Sequence, residues 1–339
     1  MDARLDVPVA MVFFNRPEQF SKVFEEVRKA KPSKLFLIQD GPRENNEKDK
    51  ENIAKCREVL KGIDWECDVV RDFSNENLGC GRRVFSGISK CFEKVDRLII
   101  LEDDCVPSQS FFPFCCELLE KYKDDWRVGL ISGMNHLNRF DAAEGDYLFS
   151  MMGSIAGWAT WKRSWEHISF DLGQIADDKN AMRLLKNFEK YSCTKNSFYS
   201  MVKDKHAQLQ QRKTLSSWST QFGSNRVLNS QLYIVPKVNL MTNIGLTSES
   251  ANSVSNIKLV SHGLRPLYRL KLYDMEFPLK HPKYVMNDIE YSRKVDKLMR
   301  PKKPVAFFRK AESVFLRMVH GEFASLKKGL KRRLQKIFH

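Results

Sequence analysis

The chain predicts an α/β fold, a doubly wound sheet of mainly parallel strands flanked by helices. Three observations carry that expectation. Short apolar runs alternate with helix-periodic segments over residues 7–101. The run Leu98-Ile99-Ile100-Leu101 reads as a strand buried on both faces. The residues that follow the runs, Asn15-Arg16, Gln39-Asp40 and Glu102-Asp103-Asp104, are polar or charged. In such sheets ligands bind beyond the carboxyl ends of the strands, so the three groups converge on one crevice.

The elements follow in order. Residues 7–14 form the first strand, and Asn15-Arg16-Pro17 ends it. Pro17 suits a first helical turn, and Phe20, Val23, Phe24 and Val27 recur at helical spacing. Residues 34–38 give a second strand, closed by the turn signal Gln39-Asp40-Gly41-Pro42. A polar helix over 47–61 and a third strand over 66–71 come next. The loop Asn75-Glu76-Asn77-Leu78-Gly79-Cys80-Gly81 opens a helix reaching Phe92, and 97–101 is the next strand. A helix over 110–122 precedes a strand over 127–131. Residues 153–165 are rich in Gly and Trp, and the polar stretch 171–213 reads as a helical or loop insertion. A helix over 218–228 and a strand over 232–235 complete the pattern. There are no internal repeats.

Composition narrows the class. With 339 residues, 42% of them hydrophobic, the chain can bury a sizeable core and is not a disordered tail. No apolar stretch approaches the ~20 residues needed to span a bilayer. The start, Met1-Asp2-Ala3-Arg4-Leu5-Asp6, lacks the apolar segment of a signal peptide, which points to the cytoplasm. The eight cysteines follow no C-x-x-C spacing and are expected as reduced thiols. The net charge of +15 calls for an anionic partner.

Glu102-Asp103-Asp104 is the most informative cluster. An isolated acidic triplet is more often a solvated turn. Here it ends a buried strand, where adjacent carboxylates repel one another. Hard oxygen ligands in that place suit Mg²⁺ or Mn²⁺ shared with the phosphates of a nucleotide.

Several strings together resemble the nucleotide-sugar glycosyltransferases of the GT-A fold. They are Val9-Ala10-Met11-Val12-Phe13-Phe14-Asn15-Arg16-Pro17, Gln39-Asp40-Gly41-Pro42-Arg43, Asn77-Leu78-Gly79, Glu102-Asp103-Asp104, Ser132-Gly133-Met134-Asn135, Gly157-Trp158-Ala159-Thr160-Trp161, and the segment from Val238-Asn239-Leu240 through Gly245. The sequence is similar to bacterial enzymes of capsular and surface polysaccharide synthesis and, distantly, to the N-acetylglucosaminyltransferase that initiates complex N-glycans. The resemblance implies a GT-A-type, Rossmann-like mixed sheet. The resemblance covers about residues 7–250 and implies a catalytic domain over 1–250 (donor half about 1–135, acceptor half about 136–250), which leaves a connecting segment over 251–299 and a basic amphipathic helical extension over 300–339. It implies metal-dependent, inverting transfer from a UDP-sugar to a glycan acceptor, one carried on a polyprenyl diphosphate.

The roles implied are specific. Asp104 is the metal ligand, for Mn²⁺ or Mg²⁺. Asp103 and Glu102 bind ribose or metal-bound waters, Asp40 accepts from uracil N3–H, and Phe14, Asn15, Arg16 and Arg82 lie about the nucleotide. Gly157 and Trp158 form an acceptor-side loop, Trp158 offering a flat face to the sugar. Inversion needs a carboxylate base. In many relatives an Asp follows the Trp of the segment matching Ser217-Trp218-Ser219-Thr220-Gln221-Phe222; here Ser219 stands there. Glu249, Asp177, Asp178 and Glu166 remain as unranked candidates for the base.

Two other readings compete. Ser219 and the basic tail suit a non-catalytic or weakly active nucleotide-sugar-binding protein at the membrane. A sugar nucleotidyltransferase would want a Gly-rich loop after the first strand, and Phe13-Phe14-Asn15-Arg16-Pro17 has no glycine. Residues 300–339 hold twelve Lys/Arg against two Glu. Leu326, Leu330, Leu334 and Phe338 recur every four residues among the cations, and Phe307, Phe308, Ala311, Val314, Phe315 and Met318 give another apolar face. Such a helix lies well on an anionic membrane surface, which places the protein peripherally on the inner face of the cell membrane. Nucleic acid is not an expected partner, since the tail lacks a fold for it.

Overall fold

The computed structural model describes residues 5–194, 197–211, 215, 217–246, 256–268 and 270–323. The strands are β1 (Val9–Phe13), β2 (Lys34–Gln39), β3 (Asp68–Phe73), β4 (Arg97–Glu102), β5 (Cys105–Pro107), β6 (Val128–Ser132), β7 (Tyr147–Ser150), β8 (Trp158–Trp161), β9 (Leu232–Pro236) and β10 (Met241–Asn243). The helices are α1 (Pro17–Ala30), α2 (Glu47–Val59), α3 (Cys80–Phe92), α4 (Phe111–Lys121), α5 (Lys162–Trp165), α6 (Gly173–Ala176), α7 (Lys179–Tyr191), α8 (Phe198–Gln210), α9 (Ser219–Leu228), α10 (Ile289–Met299) and α11 (Lys303–Val319).

Among the described residues, eight strands form one Rossmann-like sheet in the order β3-β2-β1-β4-β8-β6-β9-β7. β3, β2, β1 and β4 are parallel, as the strand–helix alternation demands. β8 runs against both β4 and β6, and β7 runs against β9, so the sheet is mixed. Because β6 opposes β8, which opposes β4, the carboxyl ends of β4, β6 and β9 share one edge with those of β1, β2 and β3.

Alternation along the central strands explains the two-sided burial. Val9, Met11, Phe13, Leu35, Leu37, Ile99 and Leu101 meet α1 and α4 on one face. Ala10, Val12, Phe36, Ile38, Leu98 and Ile100 meet α3 and a tryptophan cluster on the other. Residues after position 250 also enter this body: Tyr291 and Val295 of α10 are fully buried in the second layer, and Asp288 donates its backbone N–H to Phe149 of β7 (2.7 Å). The stretch 171–213 contains α6, α7 and α8, which pack around Leu185 and Val202 and against Val227 of α9. The eight thiols are free, as expected.

Candidate functional site

The acid triplet closes β4 and turns directly into β5, which β10 pairs antiparallel with Asn243 opposite Cys105. Arg16, the last residue before α1, reaches across to it. Its Nε donates to Asp103 Oδ2 (3.3 Å), one terminal nitrogen to Asp104 Oδ2 (3.1 Å) and the other to Asp103 Oδ1. The Phe14 backbone N–H adds a contact to Asp103 (3.4 Å). Asp103 is buried and Asp104 partly open, so one guanidinium joins a hidden acid to an accessible one.

β10 supplies the other wall. Asn243 Nδ2 donates to Asp104 Oδ1 (2.9 Å), Ile244 N–H to the Asp104 carbonyl (2.8 Å), and Gly245 N–H to Asn243 Oδ1 (2.8 Å). A Cβ at Gly245 would stand 2.1 Å from Asp104 Oδ2, so only glycine lets the chain pass this close.

Electrostatics at the cluster are those of crowded like charges. Burial, then Asp104 and Asp103, push Glu102 up to about 8. Burial pushes Asp103 up to about 6 against the opposing pull of Arg16. Arg16 itself is raised: burial opposes its charge, and the two aspartates outweigh burial. A cation would relieve this repulsion, and the all-oxygen donor set suits Mn²⁺ or Mg²⁺. Among the described residues no three His, Cys, Asp or Glu side chains form a cage. Asp104 and Asp103 could offer an ion only part of its coordination shell, and both already accept from Arg16.

The neighbouring loops are braced by carboxylates and by one buried arginine. Asp40 is buried, and its oxygens accept the backbone N–H groups of Gly41 (3.0 Å), Leu78 (2.9 Å) and Gly79 (3.0 Å). It thus fixes the loop that opens α3. Arg83 is buried, with Nε on the Gln39 carbonyl (3.2 Å) and a terminal nitrogen on Asp72 (2.8 Å), while Arg82 is exposed on the first turn of α3. Asn15 donates to Asp49 Oδ1 (2.7 Å), and Arg43 grips the same carboxylate, Nε on Oδ2 and a terminal nitrogen on Oδ1 (both 2.7 Å). Cys80, at the start of α3, has its thiol pushed up to about 12 by burial and by Glu102 and Asp103, which marks it as a neighbour of the cluster.

Across the edge, buried amides replace charges. Asn239 Oδ1 accepts the Asn135 N–H (3.0 Å), and its Nδ2 donates to the Met241 and Lys271 carbonyls (2.8 and 3.0 Å). Asn135 Nδ2 donates to the Pro236 and Lys237 carbonyls (2.8 and 3.0 Å). This pair ties the ends of β6 and β9 together.

Several expectations change. Trp158 does not face a ligand: it is fully buried in β8, stacked on Trp218 at 5.4 Å between centroids and packed on Trp165 and Phe222. The reason is register, since Trp158 sits opposite Ile100 in the sheet interior. Gly157 does lie at the crevice edge, where its φ of +65° and a Cβ position 2.1 Å from Met241 Cε require glycine. Glu166 follows β8, whose end pairs with Arg97 at the start of β4, so it stands at the opposite edge from the acids. Asp178 caps α7, accepting the N–H groups of Asn180 and Ala181 (2.7 and 3.1 Å), and Asp177 is exposed on the helical insertion. Glu249 lies outside the described residues. Asn243, Asn239 and Asp49 gain roles that the sequence reading did not assign, although the string through Gly245 had marked the first two.

No protein-family model matches the chain, and no curated protein matches it. Solved structures do. HddC from Yersinia pseudotuberculosis, complexed with GMP-PN, shares 11% identity over 48% of this chain and 79% of its own (TM-score 0.30). The inositol-1-phosphate CTP transferase from T. maritima shares 12% over 78% and 95% (TM-score 0.36). The 4-diphosphocytidyl-2C-methyl-D-erythritolsynthase from Anaerococcus prevotii DSM 20548 shares 9% over 66% and 96% (TM-score 0.31). Against the expectation of UDP-sugar glycosyl transfer, these matches include a CTP transferase and a diphosphocytidyl synthase and name no glycosyltransferase. Likeness at this level assigns no activity to this chain.

Proposed function

We propose that this chain is a nucleotide-dependent transferase that holds a nucleoside phosphate at the carboxyl edge of its sheet, and that its reaction is nucleotidyl transfer to a phosphorylated acceptor. The observation that carries the reading is the Asp103–Arg16–Asp104 arrangement beside the start of α3. Asp104 and Asp103 would hold Mn²⁺ or Mg²⁺, which when bound neutralises charge on a phosphate chain. Arg16 bridges both carboxylates and fixes their separation. Arg82 and the first N–H groups of α3 present positive charge to phosphate oxygens. An acceptor phosphate is already ionised at neutral pH, so its oxygen can attack the α-phosphorus and expel pyrophosphate without a protein base. Such a reaction needs nothing from Glu166, Asp177 or Asp178, which stand on other elements.

The test is a thermal-shift panel of nucleoside triphosphates with and without Mn²⁺, followed by pyrophosphate release with sugar phosphates and other phosphomonoesters. Binding to the native state raises its apparent stability. One triphosphate should raise the melting temperature in a Mn²⁺-dependent way, and Asp104→Asn should weaken that response about tenfold or more. A panel with no response overturns the reading. A response without pyrophosphate release favours the second reading, a nucleotide binder without turnover, which Arg16 already occupying both aspartates supports.

A further inference from the structure

We propose that the exposed face of α11 docks this protein on the surface of an anionic lipid bilayer. The helix has two unlike sides. On the inner side Arg309 donates to the Leu298 carbonyl (2.8 Å), Ser313 to the Leu259 carbonyl (3.3 Å), and Glu312 accepts from the His262 backbone N–H (3.2 Å) and pairs with its ring. These contacts fasten α11 to the body. On the outer side Phe307, Phe308, Val314, Phe315, Met318 and Val319 are exposed, the three phenylalanines by 68%, 70% and 58%. At 3.6 residues per turn they form one continuous stripe. Apolar area of this extent is uncommon on a soluble surface and marks an interaction face.

Charge decides the occupant. Lys303, Lys310 and Arg317 recur every seven residues along one border of the stripe, two turns apart. Residues 324–339 then add six Lys/Arg and no acid to the sequence. A second copy of a chain carrying +15 would be repelled by this border, whereas anionic headgroups are attracted to it. Phenylalanines flanked by cations are the composition of a helix lying in the headgroup region, rings toward the acyl chains and cations toward phosphate. No described helix is long and apolar enough to cross the membrane, so contact is with its surface. Because α11 is fastened to α10 and to residues 256–268, docking fixes the orientation of the body as well as its place.

The experiment is flotation of the full chain with vesicles of mixed phosphatidylglycerol and phosphatidylcholine, and with vesicles of phosphatidylcholine alone. The chain should float with the anionic vesicles and remain behind with the neutral ones. Phe307→Ser/Phe308→Ser/Phe315→Ser should lower bound protein about tenfold, and Lys303→Glu/Lys310→Glu by a smaller factor that shrinks in high salt. All five residues are exposed, so the unfolding midpoint should stay unchanged, which separates lost docking from lost folding. Absence of the wild-type chain from anionic vesicles overturns the proposal. So does flotation of the triple variant at the wild-type level, or a self-association that the triple variant abolishes without vesicle binding. The outcome is independent of the nucleotide panel.

Discussion

The two halves of the sheet meet the same edge with different chemistry. In β3-β2-β1-β4 all strands are parallel, and the carboxyl edge carries Arg16, Asp40, Glu102, Asp103 and Asp104. In β8-β6-β9-β7 the directions are mixed, β6 and β9 running parallel between antiparallel β8 and β7, one face packs on the cluster of Trp158, Trp165 and Trp218, and the edge is closed by Asn135 and Asn239. The first half places charge at this edge, while the second closes it with neutral amides. β10 connects them, since it leaves the amide wall at Met241 and two residues later places Asn243 on Asp104. The site is therefore ionic on one side and sterically defined on the other.

The largest test of this division is Trp158→Ala. If the tryptophan cluster is interior rather than ligand-facing, removing a fully buried indole should cost about 4 kcal/mol in denaturant unfolding. Unchanged stability with lost nucleotide binding would return Trp158 to the crevice. Asp103→Ala probes the charged half. It removes two of the three Arg16 contacts and leaves a largely buried guanidinium with Asp104 alone. A loss of about 3 kcal/mol is expected by the same measurement, with Asp103→Asn losing less because it can still accept from Arg16. Equal losses in the two variants would mean that shape, not charge, holds this corner.

What the sequence revealed divides along the same line. β1, β2 and β4 are legible because four or more apolar residues run together and end in charged or polar residues, a local signal. β7 is not, because Tyr147-Leu148-Phe149-Ser150 is short and its pairing partner β9 lies 85 positions away, from Phe149 to Ile234. The reversed direction of β8 depends on register with Arg97–Ile100, which no residue within Gly157-Trp158-Ala159 encodes. Hence a Trp after a flexible glycine suggests a ligand platform, yet it is a core residue. The acid triplet shows itself as unlike residues after an apolar run. Asn243 escapes because its partner is 139 positions distant and its chemistry is neutral.

Asn239→Ala is a smaller test, aimed at the amide wall. It strands the Asn135 N–H and the Met241 and Lys271 carbonyls, and a cost of about 2 kcal/mol is expected. Since Met241 begins the strand that carries Asn243, nucleotide affinity should fall with it. Retained affinity in a destabilised variant would show that the two halves of the edge are uncoupled.

The gentlest probe is pH, because the two halves should respond with opposite signs when metal and nucleotide are absent. Glu102 is raised by burial and by its acidic neighbours from 4.5 to about 8, so the folded chain binds its proton more tightly than the unfolded chain. Its contribution is fully present below 4.5 and is lost as pH rises through 8. His136, in the loop after β6, has a shielded Nδ1 without a hydrogen-bond partner, and burial lowers it from 6.5 to about 4. The folded chain then binds that proton less tightly, so stability is present above 6.5 and is lost as pH falls toward 4. In EDTA, Glu102→Gln should become more stable than the wild type as pH climbs from 5 to 8, and His136→Gln should become relatively more stable as pH drops from 6.5 to 4. Chemical unfolding midpoints across both ranges give the answer. Parallel curves for Glu102→Gln and the wild type would remove the like-charge repulsion on which the cation site depends, while parallel curves for His136→Gln would show that the amide-lined wall is wetter than its unpartnered nitrogen indicates.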